Sequence, residues 1–590
     1  MSSGRHRGPA LLGTRAKAGL VIVALVAAIG ALVLWQSGGS GGGSSCSGEQ
    51  RLTVAAAPEI APAVRDTANA WANSIKAGGQ CVAVDVAAAN PLDVTMAVAA
   101  RGGVTLTGLS TATSAPGASA SPANAAAAAP TTTVPDVWIP DSSTWLVRIR
   151  VAGPNLVPPQ APSVARSPIV LAMPEPVAKT LGWPNAAITW PALLQRMTTG
   201  PALKVGIVEP NRDATGLSGL VALGAAAASA GASAEQATIA AMRALVAGRT
   251  TVPADLLAKF PKALDPAALA GGLNAAPLSE QAVLAYNQTS PAVKLASLYV
   301  EPAPPALDYP YAVMPGLSGD KAALAEQLRV ALGGDTYRSR LSAAGLRDQE
   351  GVVTFPAPPG APATVPAGVL DGPTLAKALT TWISVTRPAR MLAVIDISGS
   401  MALPVPTAGG ATRSQVAVAA AQQGLVLFDD SWAVGLWTFS TKLDNGNDWR
   451  EVLPIKPMSE QRPKLQQALG SIAPIPNGET GLYDTVLAAY KTVQSGWDPR
   501  SVNSVVLLTD GQNQDANGIS LDALIEQLKA LVDPKRPIQV IALGIGDDVA
   551  EAELTRITST TGGGTFIARD PSAIGPIFIK ALSLRPPLPT

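Results

Sequence analysis

The chain of 590 residues is 47% apolar and 14% charged, with a formal net charge of +1. That length predicts two or more domains with ample core material, and the balanced charge offers no footprint for nucleic acid. A single histidine, His6, and two cysteines exclude Ser-His-Asp and Cys-His catalysis and the usual zinc sites from the folded part, so a binding role is expected rather than an enzymatic one.

Arg5, Arg7, Arg15 and Lys17 precede an uncharged run, 18–35, about as long as the shortest membrane-spanning helix. Basic residues before the run place 1–17 in the cytoplasm and everything after it outside. The reading is a single-pass anchor in the cell membrane; secretion after signal-peptide cleavage is the alternative. A flexible Gly/Ser-rich tether fills 36–48. Cys46 and Cys81 each precede a predicted strand, 51–55 and 82–86. Neighbouring parallel strands would bring those starts to one sheet edge. In an oxidising compartment a disulfide between them is expected, with two free thiols as the alternative.

From 49 to 355 strand-like runs alternate with Ala/Leu-rich helical runs at 60–75, 237–246 and 280–286, which implies parallel sheets with crossover helices. A Ser/Ala/Pro/Thr-rich insert, 107–133, reads as a surface loop. Several phrases here resemble the bacterial extracellular solute-binding proteins of the two-lobed type II kind: Ala56-Ala57-Pro58-Glu59-Ile60, Pro135-Asp136-Val137-Trp138-Ile139-Pro140-Asp141, Ser167-Pro168-Ile169-Val170-Leu171 and Val205-Gly206-Ile207-Val208-Glu209-Pro210. The resemblance implies one lobe from about 51–150 plus the chain after about 294, another from about 163–287, and a small solute in the cleft between them. Glu59, Asp136, Asp141, Asp213 and Thr215 are the candidate cleft residues. Asp213-Ala214-Thr215-Gly216 opens a predicted helix, where free N–H groups can hold an anion. Both side chains are equally good helix caps, and Asp213 would repel an anion. Trp138, Trp145, Trp183 and Trp190 could line the cleft, although aromatics among Pro and Ile more often pack.

A Pro/Ala-rich stretch, 356–366, reads as a semi-stiff linker, with a short helix at 374–385 completing a connecting segment, 356–387. The last domain, 388–585, predicts strands at 392–397, 432–439, 504–509, 538–543 and 563–568. Helices are predicted at 414–428, 463–472, 481–494, 521–532, 551–559 and 572–582. The pattern is a doubly wound sheet, and in such sheets ligands sit at the carboxyl ends of the strands.

Oxygen ligands gather at those ends. The apolar run 391–395 leads into Asp396-Ile397-Ser398-Gly399-Ser400. Thr480 opens a helix in Gly478-Glu479-Thr480-Gly481, and Asp510 closes the apolar run 505–509. Carboxylates and hydroxyls without nitrogen or sulfur suit a hard divalent cation such as Mg²⁺, with Mn²⁺ or Ca²⁺ as alternatives. Ser or Asp after a strand is also ordinary capping and turn chemistry. Order and spacing of the five residues resemble the metal-ion-dependent adhesion site of the von Willebrand factor type A family. The resemblance implies direct ligation by Ser398, Ser400 and Thr480, with Asp396 and Asp510 acting through water or hydroxyls, and a protein or acidic ligand completing the metal's shell. A Pro/Gly-rich insert, 402–412, separates the motif from the next helix. The run Asn513-Gln514-Asp515-Ala516-Asn517-Gly518 mimics the start of a calcium loop, but its twelfth position is Leu524 where a bidentate Glu is needed.

The fold class expected is therefore α/β: a two-lobed periplasmic-binding-protein-like domain followed by a Rossmann-like von Willebrand factor A domain. A membrane-tethered extracytoplasmic binding protein is the functional expectation, with a transport receptor for a small solute as the alternative.

Overall fold

A computed structural model describes residues 49–77, 80–106, 108–109, 133–186, 188–198, 203–228, 234–368, 370–546, 549–568, 577 and 581. The expected tail, anchor and tether, Cys46, nearly all of the 107–133 insert and most of the 572–582 helix lie outside the described residues. No described helix is long and apolar enough to cross a membrane.

Strands in the N-terminal half are β1 (Glu49–Ala56), β2 (Lys76–Ala77), β3 (Gln80–Ala88), β4 (Val137–Ile139), β5 (Ile169–Pro174), β6 (Ala276–Ser279), β7 (Leu295–Leu298) and β8 (Ala312–Val313). Those of the C-terminal half are β9 (Ala389–Asp396), β10 (Ala433–Asp444), β11 (Asn447–Pro457), β12 (Val502–Thr509), β13 (Ile538–Ile545) and β14 (Thr565–Ala568). The described residues divide into two compact units, 49–50 with 75–77 and 80–82, and Arg51–Ser74 with those from Ala83 onward. In the first, β2 pairs antiparallel with the start of β3, Lys76 opposite Cys81. Cys81 is not a free thiol, while its expected partner Cys46 is outside the described residues.

The second unit holds both lobes and the C-terminal domain. In the first lobe β1 runs parallel to β4, Val54 opposite Val137, and β4 runs antiparallel to β8. Leu52 and Val54 of β1 are buried between exposed Arg51 and Thr53, the period-two pattern of a strand with one covered face. The helix Ala61–Ser74 turns Ala63, Val64, Thr67 and Ala68 inward.

The second lobe corrects the expectation of parallel pairing. Its sheet has the order β6-β5-β7, and β5 is antiparallel to both neighbours. The helix Glu280–Gln288 carries the chain from β6 to β7, so those two run alike on either side of a reversed β5. Every β5 residue is buried, which explains the uninterrupted apolar run; burial of this kind does not encode strand direction.

A buried ion pair fixes the end of this domain. Arg347 donates to both Glu280 oxygens, at 2.8 and 2.9 Å, with both side chains almost fully excluded from solvent. Tyr299 donates its hydroxyl to the same carboxylate. Arg347 also donates to the Pro362 carbonyl at 2.7 Å, and Arg166 to that of Val365 at 2.8 Å. The stretch read as a semi-stiff linker is thus fastened to the domain before it. The following helix, Gly372–Thr386, packs on the helices Ala214–Ala228 and Ala234–Ala247, with the Trp382 indole donating to Glu209 at 2.6 Å. Arg243 reaches from the second of these helices to the C-terminal domain, 5.3 Å over the Trp432 ring and 3.5 Å from Asp429.

The C-terminal sheet has the order β11-β10-β9-β12-β13-β14. Its pairings are parallel except β10 with β11. Central strands β9 and β12 are buried on both faces, as parallel sheets between helical layers must be. The sequence reading omitted β11, an edge strand carrying Pro454 and Lys456 in place of a clean alternation. Its signal was the turn: Asn445 and Gly446 adopt φ of 49° and 87°, the paired left-handed geometry of a two-residue hairpin.

Candidate metal centre and solute cleft

Asp396 ends β9, and the backbone bond from Ile397 N–H to the Phe439 carbonyl (2.9 Å) carries the chain one residue past it. Asp396 Oδ1 then accepts the Ser398 N–H at 2.8 Å, a turn that brings the two serine hydroxyls to 3.1 Å of each other. Gly399 N–H donates to Gly478 O at 2.8 Å, tying this loop to the one that carries Thr480. A Cβ at Gly399 would stand 3.2 Å from the Asn477 nitrogen, a tight contact that would require the neighbouring loop to give slightly. The Thr480 loop is held by Glu479, whose carbonyl accepts from Ser440 Oγ at 2.7 Å and Thr441 N–H at 2.9 Å. Gln514 N–H donates to the Thr480 carbonyl at 2.8 Å, linking that loop to the segment after β12.

Ser400 Oγ donates to Asp510 Oδ1 at 2.9 Å, and Thr509 Oγ1 donates to Asp396 Oδ2 at 2.6 Å. These bonds join Asp396, Ser398, Ser400 and Asp510 at the carboxyl edge of the sheet, and Thr480 Oγ1 lies beside Gly511, 4.0 Å from where a Cβ there would stand; Asp396, Ser398, Thr480 and Asp510 are buried. Burial pushes the Asp396 carboxyl up to about 6, against the opposing pull of its Thr509 and Ser398 hydrogen bonds. A buried carboxylate beside hydroxyls and a second carboxylate gains from a cation. The donor set fits a hard divalent ion: two carboxylates and three hydroxyls, with no nitrogen or sulfur among them. Ser398, Ser400 and Thr480 could hold such an ion, with Asp396 and Asp510 behind them.

One participant was not read from the sequence. Arg413 donates to Asp510 Oδ2 at 2.7 Å. It follows the insert 402–412, which carries one short turn, Pro406–Ala408, and is closed by a bridge from Pro404 to Thr412. Thr412 and Gln415 form a reciprocal capping box, so Arg413 occupies the first helical position, aimed at the site by the cap. Thr412-x-x-Gln415 was the available signal. Asp448, Asp484 and Asp515 form a separate trio, their oxygens within 4.8 Å of one another. Each accepts a backbone N–H, from Lys442, Ile519 and Asn517 respectively, and so shapes the surrounding loops. Asp515 belongs to the run that mimics a calcium loop.

In the N-terminal domain, Glu59, Asp141, Asp213 and Thr215 line one cavity of about 330 Å³, with Trp145 and Leu278 among its walls. Tyr309 donates its hydroxyl to Glu59 at 2.8 Å, and the Trp145 indole donates to Asp141 at 2.7 Å. Asp213 Oδ1 caps its helix through Gly216 N–H at 2.7 Å. A Cβ at Gly216 would run into the Val208 carbonyl, so the close approach of helix and strand end requires glycine. Burial raises all three carboxyls, Asp213 to about 6; for Asp141 the neighbouring Glu59 and Asp213 add to it. Asp136, the fifth candidate, is not in this cavity. It accepts from Thr53 N–H at 2.9 Å and pairs with Lys321 at 2.8 Å. Burial would raise it, but Lys321 and Thr53 hold it below the ordinary aspartate value, as befits a brace between β1, β4 and the helix Gly319–Ala331. Trp138 and Trp190 are packed in the core. Trp183 lines a different pocket.

Comparison with known proteins agrees with this division. Residues 52–347 match the family model for bacterial extracellular solute-binding proteins, and residues 391–578 match that for the von Willebrand factor type A domain. An uncharacterized protein of Mycobacterium tuberculosis, found in strains CDC 1551 and H37Rv, is 27% identical over 585 residues, covering 92% of this chain and 79% of its own length. Among solved structures, a von Willebrand factor type A protein from Catenulispora acidiphila is 21% identical, with a TM-score of 0.27, over 33% of this chain and 42% of that one. The sulfate-binding protein SubI from Mycobacterium tuberculosis H37Rv is 17% identical, with a TM-score of 0.34, over 52% of this chain and 92% of its own. With its first match spanning half of the sequence, the chain belongs to the bacterial extracellular solute-binding protein family and carries a von Willebrand factor type A domain behind the solute-binding one.

Proposed function

We propose that this is a membrane-tethered, extracytoplasmic binding protein, without enzymatic activity, whose C-terminal domain holds Mg²⁺ and captures a protein or acidic ligand through it. The observation that carries the reading is the bonding of Asp396, Ser398, Ser400 and Asp510 to one another at one sheet edge, with Thr480 beside Gly511. Such an all-oxygen set leaves a coordination position for an outside carboxylate. The extracellular family of the first domain supports a location outside the cytoplasm, and the basic-then-apolar N-terminus supports the tether. A pull-down from envelope extract with the full chain, in Mg²⁺ and in EDTA, tests it. Partners retained in Mg²⁺ and released by EDTA are expected; identical retention in both would refute metal-dependent capture.

A second reading assigns the chain to solute reception for an envelope transport system, with the metal domain as a docking module. The cavity bounded by Glu59, Asp141, Asp213 and Thr215 favours it, being of ligand size and in the expected cleft of a solute-binding family.

A further inference from the structure

The cavity in the N-terminal domain says something about the charge of what enters it. Its charged lining residues are Glu59, Asp141, Asp213 and Arg212, three carboxylates against one exposed guanidinium. The hydrogen bonds to the three carboxylates come from a phenol, an indole and a backbone N–H. None of the three forms an ion pair with a lysine or arginine among the described residues. Arg148, the nearby buried cation, is not in the lining. It donates to the Asn211 carbonyl at 2.8 Å and sits 5.2 Å over the Trp145 ring. Three grouped carboxylates with a single exposed guanidinium beside them favour holding protons or taking up a cation. An oxyanion would meet them at a cost.

The spacing separates a metal ion from an organic cation. The oxygens of Glu59, Asp141 and Asp213 do not all fall within the 4.8 Å span that Asp448, Asp484 and Asp515 occupy, so one ion cannot gather all three. They lie around a chamber of about 330 Å³ whose remaining walls include Pro91, Leu92 and Leu278. A lining that joins three carboxylates to apolar Pro91, Leu92 and Leu278 and polar Asn90, Ser279 and Gln281 matches a multiply charged molecule with an aliphatic body better than a bare ion.

We infer that this cleft binds an organic cation carrying two or more amino groups, of the diamine or polyamine class, with Glu59, Asp141 and Asp213 as its anionic partners. The inference rests on the second reading above and gives its solute a chemical class. The raised carboxyls add a signature. A cation that enters displaces protons, so binding strengthens with rising pH and its heat depends on the buffer's ionisation enthalpy.

The test is calorimetry on the full chain in saturating Mg²⁺, with putrescine, spermidine, sulfate and phosphate as probes. Saturable spermidine or putrescine binding with proton release is expected. Asp141→Asn and Asp213→Asn should each weaken it by about tenfold or more, since each removes a buried charge partner. Glu460→Gln, at an exposed position of the other domain, should leave it unchanged. Saturable sulfate or phosphate binding without amine binding would overturn the charge class while leaving a solute cleft in place. Silence from all four probes would overturn both. Amine binding undiminished in Asp141→Asn and Asp213→Asn would overturn the assigned residues.

Discussion

Arg413 donates to one oxygen of Asp510 at 2.7 Å while Ser400 donates to the other at 2.9 Å. A guanidinium and a metal-site hydroxyl therefore share a single buried carboxylate. The arrangement keeps Asp510 oriented and its charge balanced, and it sets a positive charge beside the position a cation takes.

Replacing that charge should be felt by the ion. In Arg413→Gln, Mg²⁺ should bind about three- to tenfold tighter, because repulsion across a partly buried site is lost. Without metal the same variant should melt about 2–4 °C lower, as loss of a pair worth about 1 kcal/mol would give in a large domain. Titration calorimetry and thermal melts in EDTA check the two halves. Weaker Mg²⁺ binding would mean that the guanidinium's orienting role outweighs its repulsion.

The cleft carboxyls make a pH prediction. Burial lifts Asp213 from 3.8 to about 6, so between those values the folded chain keeps a proton that the unfolded chain has released. Stability from this group is therefore present at low pH and lost as pH rises through about 6. Asp213→Asn abolishes the dependence. Its melting temperature relative to the parent should be higher at about pH 7.5 than at about pH 4.5, each measured in EDTA. An equal difference at both values would contradict the shifted carboxyl.

Arg347 and Glu280 are both almost fully excluded from solvent and bound through two parallel hydrogen bonds. Arg347→Met leaves a buried carboxylate uncompensated and should cost about 3–5 kcal/mol in urea unfolding. The double variant with Glu280→Gln should recover part of this loss, because the stranded charge is gone. A single-variant cost below about 1 kcal/mol would place the pair among weak, solvent-screened ones.

The oxygen-bearing residues at the sheet's edge were legible as a group because each lies at the end of a strongly patterned element. Apolar runs located β9 and β12, and the residues directly after them are forced to the sheet's carboxyl edge. Arg413 was not legible as a participant, since its approach depends on how the insert 402–412 folds back to Thr412. In the N-terminal domain, apolar runs revealed β5 but not its direction, because a strand buried on both faces reads alike in either sense. Glu59, Asp141, Asp213 and Thr215 were picked out as turn and cap residues, and the structure brings them together in one cavity. Asp136 looked the same in sequence; only the fold shows Lys321, 185 positions away, claiming its carboxylate.

The central claim, a hard-cation centre at the edge of the C-terminal sheet, is tested most directly by titrating Mg²⁺ into metal-free full chain by calorimetry, beside Asp396→Ala and Ser398→Ala. The account predicts a saturable site in the parent that is lost in both variants while their melting temperatures in EDTA stay close to the parent's. No saturable uptake by the parent, or uptake undiminished in both variants, would contradict it.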